Sequence, residues 1–253
     1  MTSKLDIKKT YEDYVARIAN RPFSEGFAMG RAIGGEFEAF GVVEREMLKY
    51  FGLAENGYLI DVGCGSGRLA MPLAQWPDIR YLGTDVVTSL VDHARKTVNR
   101  SDWTFKVVDS FDIPELDGKA DMVCFFSVLT HLLHEQSYIY LQEAKRVLKP
   151  GGLIVLSFLE FAMAFQWNVF EATVNDARGS NQHPLNVFIE RNALVVWAKH
   201  LGLEVVEMRN GDEAFVPLAA PVTLEGGGVM EGFGNLGQSI CVLRKSAVVG
   251  HGL

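Results

Sequence analysis

The chain has 253 residues, of which 48% are hydrophobic and 22% charged, with a formal net charge of −7 and three cysteines. That length and apolar content exclude a disordered segment and fit one sizeable core, while the acidic balance and the lack of any lysine or arginine run argue against a nucleic-acid partner. No apolar stretch reaches the roughly 18 to 20 residues of a spanning helix, the N-terminus has no signal-peptide pattern, and Cys64, Cys124 and Cys241 are scattered. The expectation is a cytoplasmic protein without membrane anchorage, disulfide framework or metal cluster.

In chain order, Ile7, Tyr11, Tyr14, Val15 and Ile18 recur at helical spacing and predict an amphipathic helix over 5–19. After Arg21-Pro-Phe-Ser, a second helical pattern through Phe37, Phe40, Met47 and Phe51 runs to the turn at Glu55-Asn-Gly57. These helices either cover one flank of a sheet or bring Tyr11 and Tyr14 to a ligand. From 58 to 158, apolar runs alternate with amphipathic ones, which predicts parallel strands near 58–63, 79–86, 103–109, 120–127 and 153–159 joined by helical crossovers. Thr88 and Ser137 are expected as hydroxyl caps of two of those helices. Pro150-Gly151 fits the central positions of a type II turn. Beyond the fifth strand, 160–184 is rich in Phe, Trp and Met. It reads either as an insertion over a pocket or as a helix on the sheet edge followed by a surface loop. A helix over 190–201 and strands over 203–209 and 238–245 complete the chain, and the long glycine-rich connection containing Gly226-Gly-Gly228 is expected to help close the pocket.

The chemistry gathers at Leu59-Ile-Asp-Val-Gly-Cys-Gly-Ser-Gly-Arg68, an apolar strand breaking into three alternate glycines. Such glycines permit positive φ and let a ligand rest against bare backbone, and the N-H groups opening the next helix favour an anion. Asp85 ends the next strand, about the 20 residues onward at which a ribose-binding carboxylate is found. A nicotinamide fingerprint wants a small residue where Arg68 stands, which weakens that alternative.

With Asp85, Val107-Val-Asp109, Ala120 to Ser127 and Arg146-Val-Leu-Lys-Pro-Gly-Gly152 in this order, the chain resembles the class I S-adenosylmethionine-dependent methyltransferases. The resemblance is close over roughly 57 to 160. It implies a doubly wound, seven-stranded, mostly parallel Rossmann-like sheet with an antiparallel C-terminal edge hairpin, arranged as an N-terminal helical cap (1–56) and a methyltransferase domain (57–253) with an insertion at about 160–189. It also implies S-adenosylmethionine as cofactor. Gly63, Cys64 and Gly65 would approach its methionine and sugar, Asp85 would hold the ribose, Asp109 and Ser110 the adenine, and Val86 would flank the ring. Asp61 would fix the turn and reach the amino group, and Ser127 would border the same site. Arg68 pairs either with the methionine carboxylate or in a surface salt bridge.

His131, just past the fourth strand, is the candidate general base for an acceptor that must lose a proton, its other role being to cap or pack the following turn. His134 is expected to face solvent and His183 is an outside candidate. Ser127-Val-Leu-Thr lacks the Asn/Asp-Pro-Pro-aromatic pattern of nucleic-acid amine methyltransferases, and no carboxylate cluster marks a metal site. The acceptor is then a small molecule methylated on oxygen or nitrogen, with glycan or natural-product tailoring as a lead. A nucleotide-dependent oxidoreductase and a non-catalytic cofactor-binding module remain as alternatives, and oligomeric state is not legible.

Overall fold

The computed structural model describes residues 7–19, 30, 35–179 and 184–247. The helices are α1 (Ile7–Ala19), α2 (Phe37–Tyr50), α3 (Ala70–Leu73), α4 (Thr88–Val98), α5 (His134–Val147), α6 (Trp167–Arg178) and α7 (Arg191–Leu201). The main strands are β1 (Tyr58–Val62), β2 (Arg80–Asp85), β3 (Thr104–Val107), β4 (Ala120–Phe125), β5 (Leu148–Phe158) and β6 (Leu203–Arg209). Four two-residue strands follow, β7 (Val216–Pro217), β8 (Val222–Thr223), β9 (Val229–Met230) and β10 (Phe233–Gly234), before β11 (Ser239–Lys245).

Seven strands form one sheet in the order β3-β2-β1-β4-β5-β11-β6, with β11 antiparallel to both β5 and β6. Chain order reverses between β1 and β4, and that switch point opens a crevice beyond the strands' C-terminal ends. Alternation of side chains fills both faces. Leu59, Ile240 and Val242 join Met47, Leu73 and Trp76 in one core cluster, while Ile60, Cys241 and Leu243 join Phe125, Leu141 and Leu194 in the other. All three cysteines are buried free thiols. No helix among the described residues is long and apolar enough to cross a membrane.

Several local expectations change. Thr88 is the first residue of α4 rather than its cap, and no side chain caps this helix. The N-H of the preceding Val87 instead goes to Asp85 Oδ1 at 2.9 Å. Ser137 lies inside α5 and is buried, because the chain leaves β4 through a short turn and the helix begins at His134, with Gln136 Oε1 accepting from Leu133 N-H at 2.9 Å. Pro150-Gly151 falls within the span of β5, where Gly151 takes the φ of 82° that a type II turn needs at that position and the pairing with β4 passes from Ala120–Leu148 to Met122–Leu153. The Gly226–Gly228 turn closes the β8–β9 hairpin and lines neither cavity described below, whereas Leu236 and Gly237, at the end of the same connection, line the larger one. That hairpin docks on the start of α2 through Glu225, whose N-H donates to Glu36 Oε2 at 2.7 Å.

α6 has no fully buried side chain, yet both of its flanks are held. Gln166, itself buried, accepts from Glu160 N-H at 2.8 Å and donates to Gly237 O at 3.1 Å, pinning the helix start to the approach of β11. On one flank Phe161 stacks on Phe188 with centroids 4.5 Å apart and meets Phe170 edge-on at 5.1 Å. Phe165, Val169, Thr173 and Asp176, one stripe at helical spacing, face the crevice.

Candidate active site

Two cavities occupy the crevice, one of about 810 Å³ and one of about 290 Å³, and they share Tyr11, Gly63, Asp85, Ser127, His131 and Pro184 as a common wall. The glycine turn forms the floor. Gly63 takes φ 75°, and a Cβ there would lie 2.4 Å from Val128 Cγ2, so only glycine lets β4's exit close over it. Gly63 and Cys64 N-H both donate to Thr84 O, at 2.7 and 2.9 Å, and Gly65 N-H donates to Asp85 Oδ2 at 2.9 Å. These three N-H groups are spent inside the fold, and the helix that follows spans only Ala70–Leu73. The glycine turn itself is thus a bare-backbone floor.

Asp85 stitches the turn to β2, with its two oxygens accepting from Gly65 and Val87. Burial raises its pKa and those backbone donors oppose the rise. It lines both cavities. Val86, Asp109 and Ser110 line the smaller one, with Asp109 and Ser110 exposed at its rim. Asp61, Cys64 and Arg68 line the larger one only. Asp61 accepts from Tyr81 Oη at 2.6 Å and from Cys124 Sγ at 3.5 Å, and burial pushes its pKa up to about 7 against the pull of Tyr81.

Among the described residues, Arg68 pairs in the interior rather than at the surface. Its Nη2 pairs at 2.6 Å with Glu44 Oε1 of α2, and both side chains are almost fully buried. Glu44 was not singled out in the sequence. The available signal was an acid inside the apolar stripe Phe40, Met47, Phe51, where solvated charge is out of place. Neither was the ring around Ser127: Ser127 N-H donates to Ser157 Oγ at 2.8 Å, Ser157 Oγ to Gln238 Oε1 at 2.7 Å, and Gln238 Nε2 to Ser127 Oγ at 2.9 Å. The ring joins the ends of β4, β5 and β11, a juxtaposition that no local pattern encodes. It holds Ser127 at φ 59°, strain of the kind that persists only where surroundings enforce it.

His131 lines both cavities and its Nδ1 lies 2.7 Å from Leu185 O. A carbonyl only accepts, so Nδ1 carries the proton and Nε2 keeps a lone pair; burial lowers the imidazole's pKa, keeping it neutral. Tyr11 faces this ring with centroids 5.7 Å apart. Its helix is seated by Val15 and Ile18 against Val87 and Leu90, so Tyr11 and Tyr14 do reach the site. His134 is exposed, as expected, although its Nε2 lies 3.2 Å from Phe188 O. His183 falls outside the described residues.

Residues 59–152 match the family described as a methyltransferase domain. That segment belongs to the class I S-adenosylmethionine-dependent methyltransferases. The domain's sheet, glycine turn and edge hairpin are those the resemblance implied, and the family's cofactor is S-adenosylmethionine. Among curated relatives, a ribosomal protein L11 methyltransferase of Clostridium botulinum is 26% identical over 62% of this chain and 48% of its own. A 27-O-demethylrifamycin SV methyltransferase of Amycolatopsis mediterranei is 29% identical over 39% and 37%. A tRNA N(3)-cytidine methyltransferase of Gallus gallus is 30% identical over 42% and 31%. The chain thus spans about half or less of the length of these relatives, and their acceptors differ in kind. Magnesium protoporphyrin IX methyltransferase from Synechocystis, solved with bound S-adenosylhomocysteine, superposes with a TM-score of 0.60 at 16% identity over 95% of this chain and all of its own. A methyltransferase from Methanosarcina mazei gives 0.57 at 16% over 79% and 98%. These likenesses concern the fold.

Proposed function

We propose that the protein transfers the methyl group of S-adenosylmethionine to an oxygen or nitrogen of a small-molecule acceptor. The observation that carries this reading is the pair of cavities meeting at Gly63, Asp85, Ser127 and His131, one of about 290 Å³ on the Asp109 side and one of about 810 Å³ walled by α1 and α6. The residues fit the cofactor. Asp85 is a buried carboxylate at the strand end where a ribose is expected, Gly63 presents backbone that a side chain would obstruct, and Asp109, Ser110 and Val86 surround space for a flat base. In this reading Asp61, Gly63, Cys64, Gly65 and Arg68 hold the methionine arm, and the rest of the larger cavity receives the acceptor. Residues 1–56 act as a cap over the domain formed by 57–253.

When bound, the cofactor supplies a sulfonium methyl group already activated for in-line displacement. The protein's part is to hold the acceptor in line, exclude water and take a proton where the acceptor carries one. Tyr11, Tyr14 and the inner stripe of α6 cover the cavity and dry it. His131 is placed as the base, its tautomer fixed by Leu185 so that Nε2 accepts the proton. Relatives named for a rifamycin derivative, fatty acids and a fungal O-methyltransferase support a small acceptor. The acidic net charge and the roofed cavity favour this over the ribosomal-protein and tRNA acceptors in other relatives' names.

Calorimetric titration with S-adenosylmethionine, S-adenosylhomocysteine and NAD tests the cofactor, and acceptor pools assayed for S-adenosylhomocysteine release test the transfer. Micromolar binding of the first two and release with a small acceptor are expected. Binding of NAD alone would return the site to a nucleotide-dependent oxidoreductase. Cofactor binding without turnover on any pool would leave a binding module.

A further inference from the structure

Glu44 is a carboxylate where helix periodicity calls for an apolar side chain. On α2 it lies one turn from Phe40 and from Met47 and Leu48, and it is 1% exposed. Burying a carboxylate is costly unless its oxygens are paired. Oε1 lies 2.6 Å from Arg68 Nη2 as an ion pair yet is a buried oxygen with no hydrogen-bond partner among the described residues, and the side chain lines the larger cavity. Burial accordingly raises the pKa of Glu44, with Arg68 opposing the rise. Asp61, the other acid beside Arg68, has each oxygen already engaged, one by Tyr81 and one by Cys124.

The placement is built in. A Cβ on Gly41 would lie 2.3 Å from Arg68 O, so α2 rests directly on the chain leaving the glycine turn and brings Glu44 to that arginine one helical turn later. Glu44, Asp61 and Arg68 all line the larger cavity and none lines the smaller, which puts them across the Gly63 and Asp85 wall from Val86, Asp109 and Ser110. Among the described residues, two carboxylates there feel one guanidinium. A ligand group bearing both an ammonium and a carboxylate matches that set, the ammonium offsetting the excess acid and the carboxylate finding the guanidinium.

We propose that Glu44, from a helix outside the methyltransferase segment, receives the ammonium group of the cofactor's α-amino-acid arm on its carboxylate, while holding Arg68 beside it for the carboxylate of that arm. The inference rests on the S-adenosylmethionine reading above.

The test is calorimetric titration of the full chain, wild type and Glu44→Gln, with S-adenosylhomocysteine, its analogue lacking only the amino group, and 5′-methylthioadenosine, which lacks the whole amino-acid arm. In the wild type the deaminated analogue is expected to bind at least about tenfold more weakly than S-adenosylhomocysteine, the size of one charged hydrogen bond. In Glu44→Gln that preference is expected to collapse, while 5′-methylthioadenosine binds as in the wild type. A preference retained in Glu44→Gln would overturn the assignment, as would equal loss for all three ligands, the mark of a purely structural role. Equal wild-type binding of S-adenosylhomocysteine and its deaminated analogue would overturn it without any variant. Failure of the wild type to bind any of them would overturn the cofactor reading, and this inference with it.

Discussion

The two cavities differ in the origin of their walls. Apart from Tyr11 and Pro184, every side chain around the smaller cavity comes from 59–152, from strand ends and the turns that leave them. The larger cavity draws on α1, α2, α6 and the approach to β11, brought together from both ends of the chain. The larger cavity thus adds to the strand ends of the family match a set of walls from segments outside it. A nucleoside-sized recess is a by-product of how a doubly wound sheet reverses at its switch point. An acceptor site has no such template, and each chain adds its own.

That contrast can be broken most directly at the shared wall. His131→Ala should lower turnover on a proton-bearing acceptor by about 10²–10⁴-fold while leaving the S-adenosylhomocysteine dissociation constant nearly unchanged, comparing product release with titration. An equal fall in both would make His131 a packing residue of the turn. Asp85→Ala removes the acceptor of two backbone N-H groups and the expected ribose ligand, so affinity for S-adenosylhomocysteine should drop about 100-fold or more. Retained micromolar affinity would detach the smaller cavity from the nucleoside.

Gly41→Ala probes the larger cavity alone. The added methyl meets Arg68 O and should cost about 1–3 kcal/mol in chemical denaturation, with weaker binding of S-adenosylhomocysteine than of 5′-methylthioadenosine. A fully stable, tightly binding variant would show that α2 does not need its contact with the turn. The smallest effect is expected at Asp61. Its folded-state pKa of about 7 lies above the ordinary carboxylate value of 3.8, so between those values the folded state holds a proton that the unfolded state has lost. Stability from this group therefore falls as pH rises from about 4 to 7 and stays low above that. Asp61→Asn removes the dependence, so its melting temperature relative to the wild type should be higher at pH 8 than at pH 5 by on the order of a few degrees. An identical difference at both pH values would mean that Asp61 is ionised throughout.

Much of the site's chemistry was legible locally. Gly63 and Asp85 were read from the glycine turn and the strand end that follows it, and the resemblance to the family's motifs added Val86, Asp109 and Ser110 at the same edge of the sheet. His131 followed from the same logic, though not its tautomer, which depends on Leu185, 54 residues on. Arg68 was recognised as a charge needing an anion, but its partner lay on a helix whose docking angle no spacing encodes.

By itself, then, the sequence determined what short-range rules control: parallel strands joined by helical crossovers, the bare glycine floor, and the acid on the second strand. The tertiary structure decided what depends on closing long loops. α2 meets the glycine turn at Gly41, Gln238 links the ends of three strands around Ser127, and the aromatic seat of Phe161, Phe170 and Phe188 turns the inner stripe of α6 toward the cavity. In each case the residue types permit many partners, and only the packing of distant segments selects one.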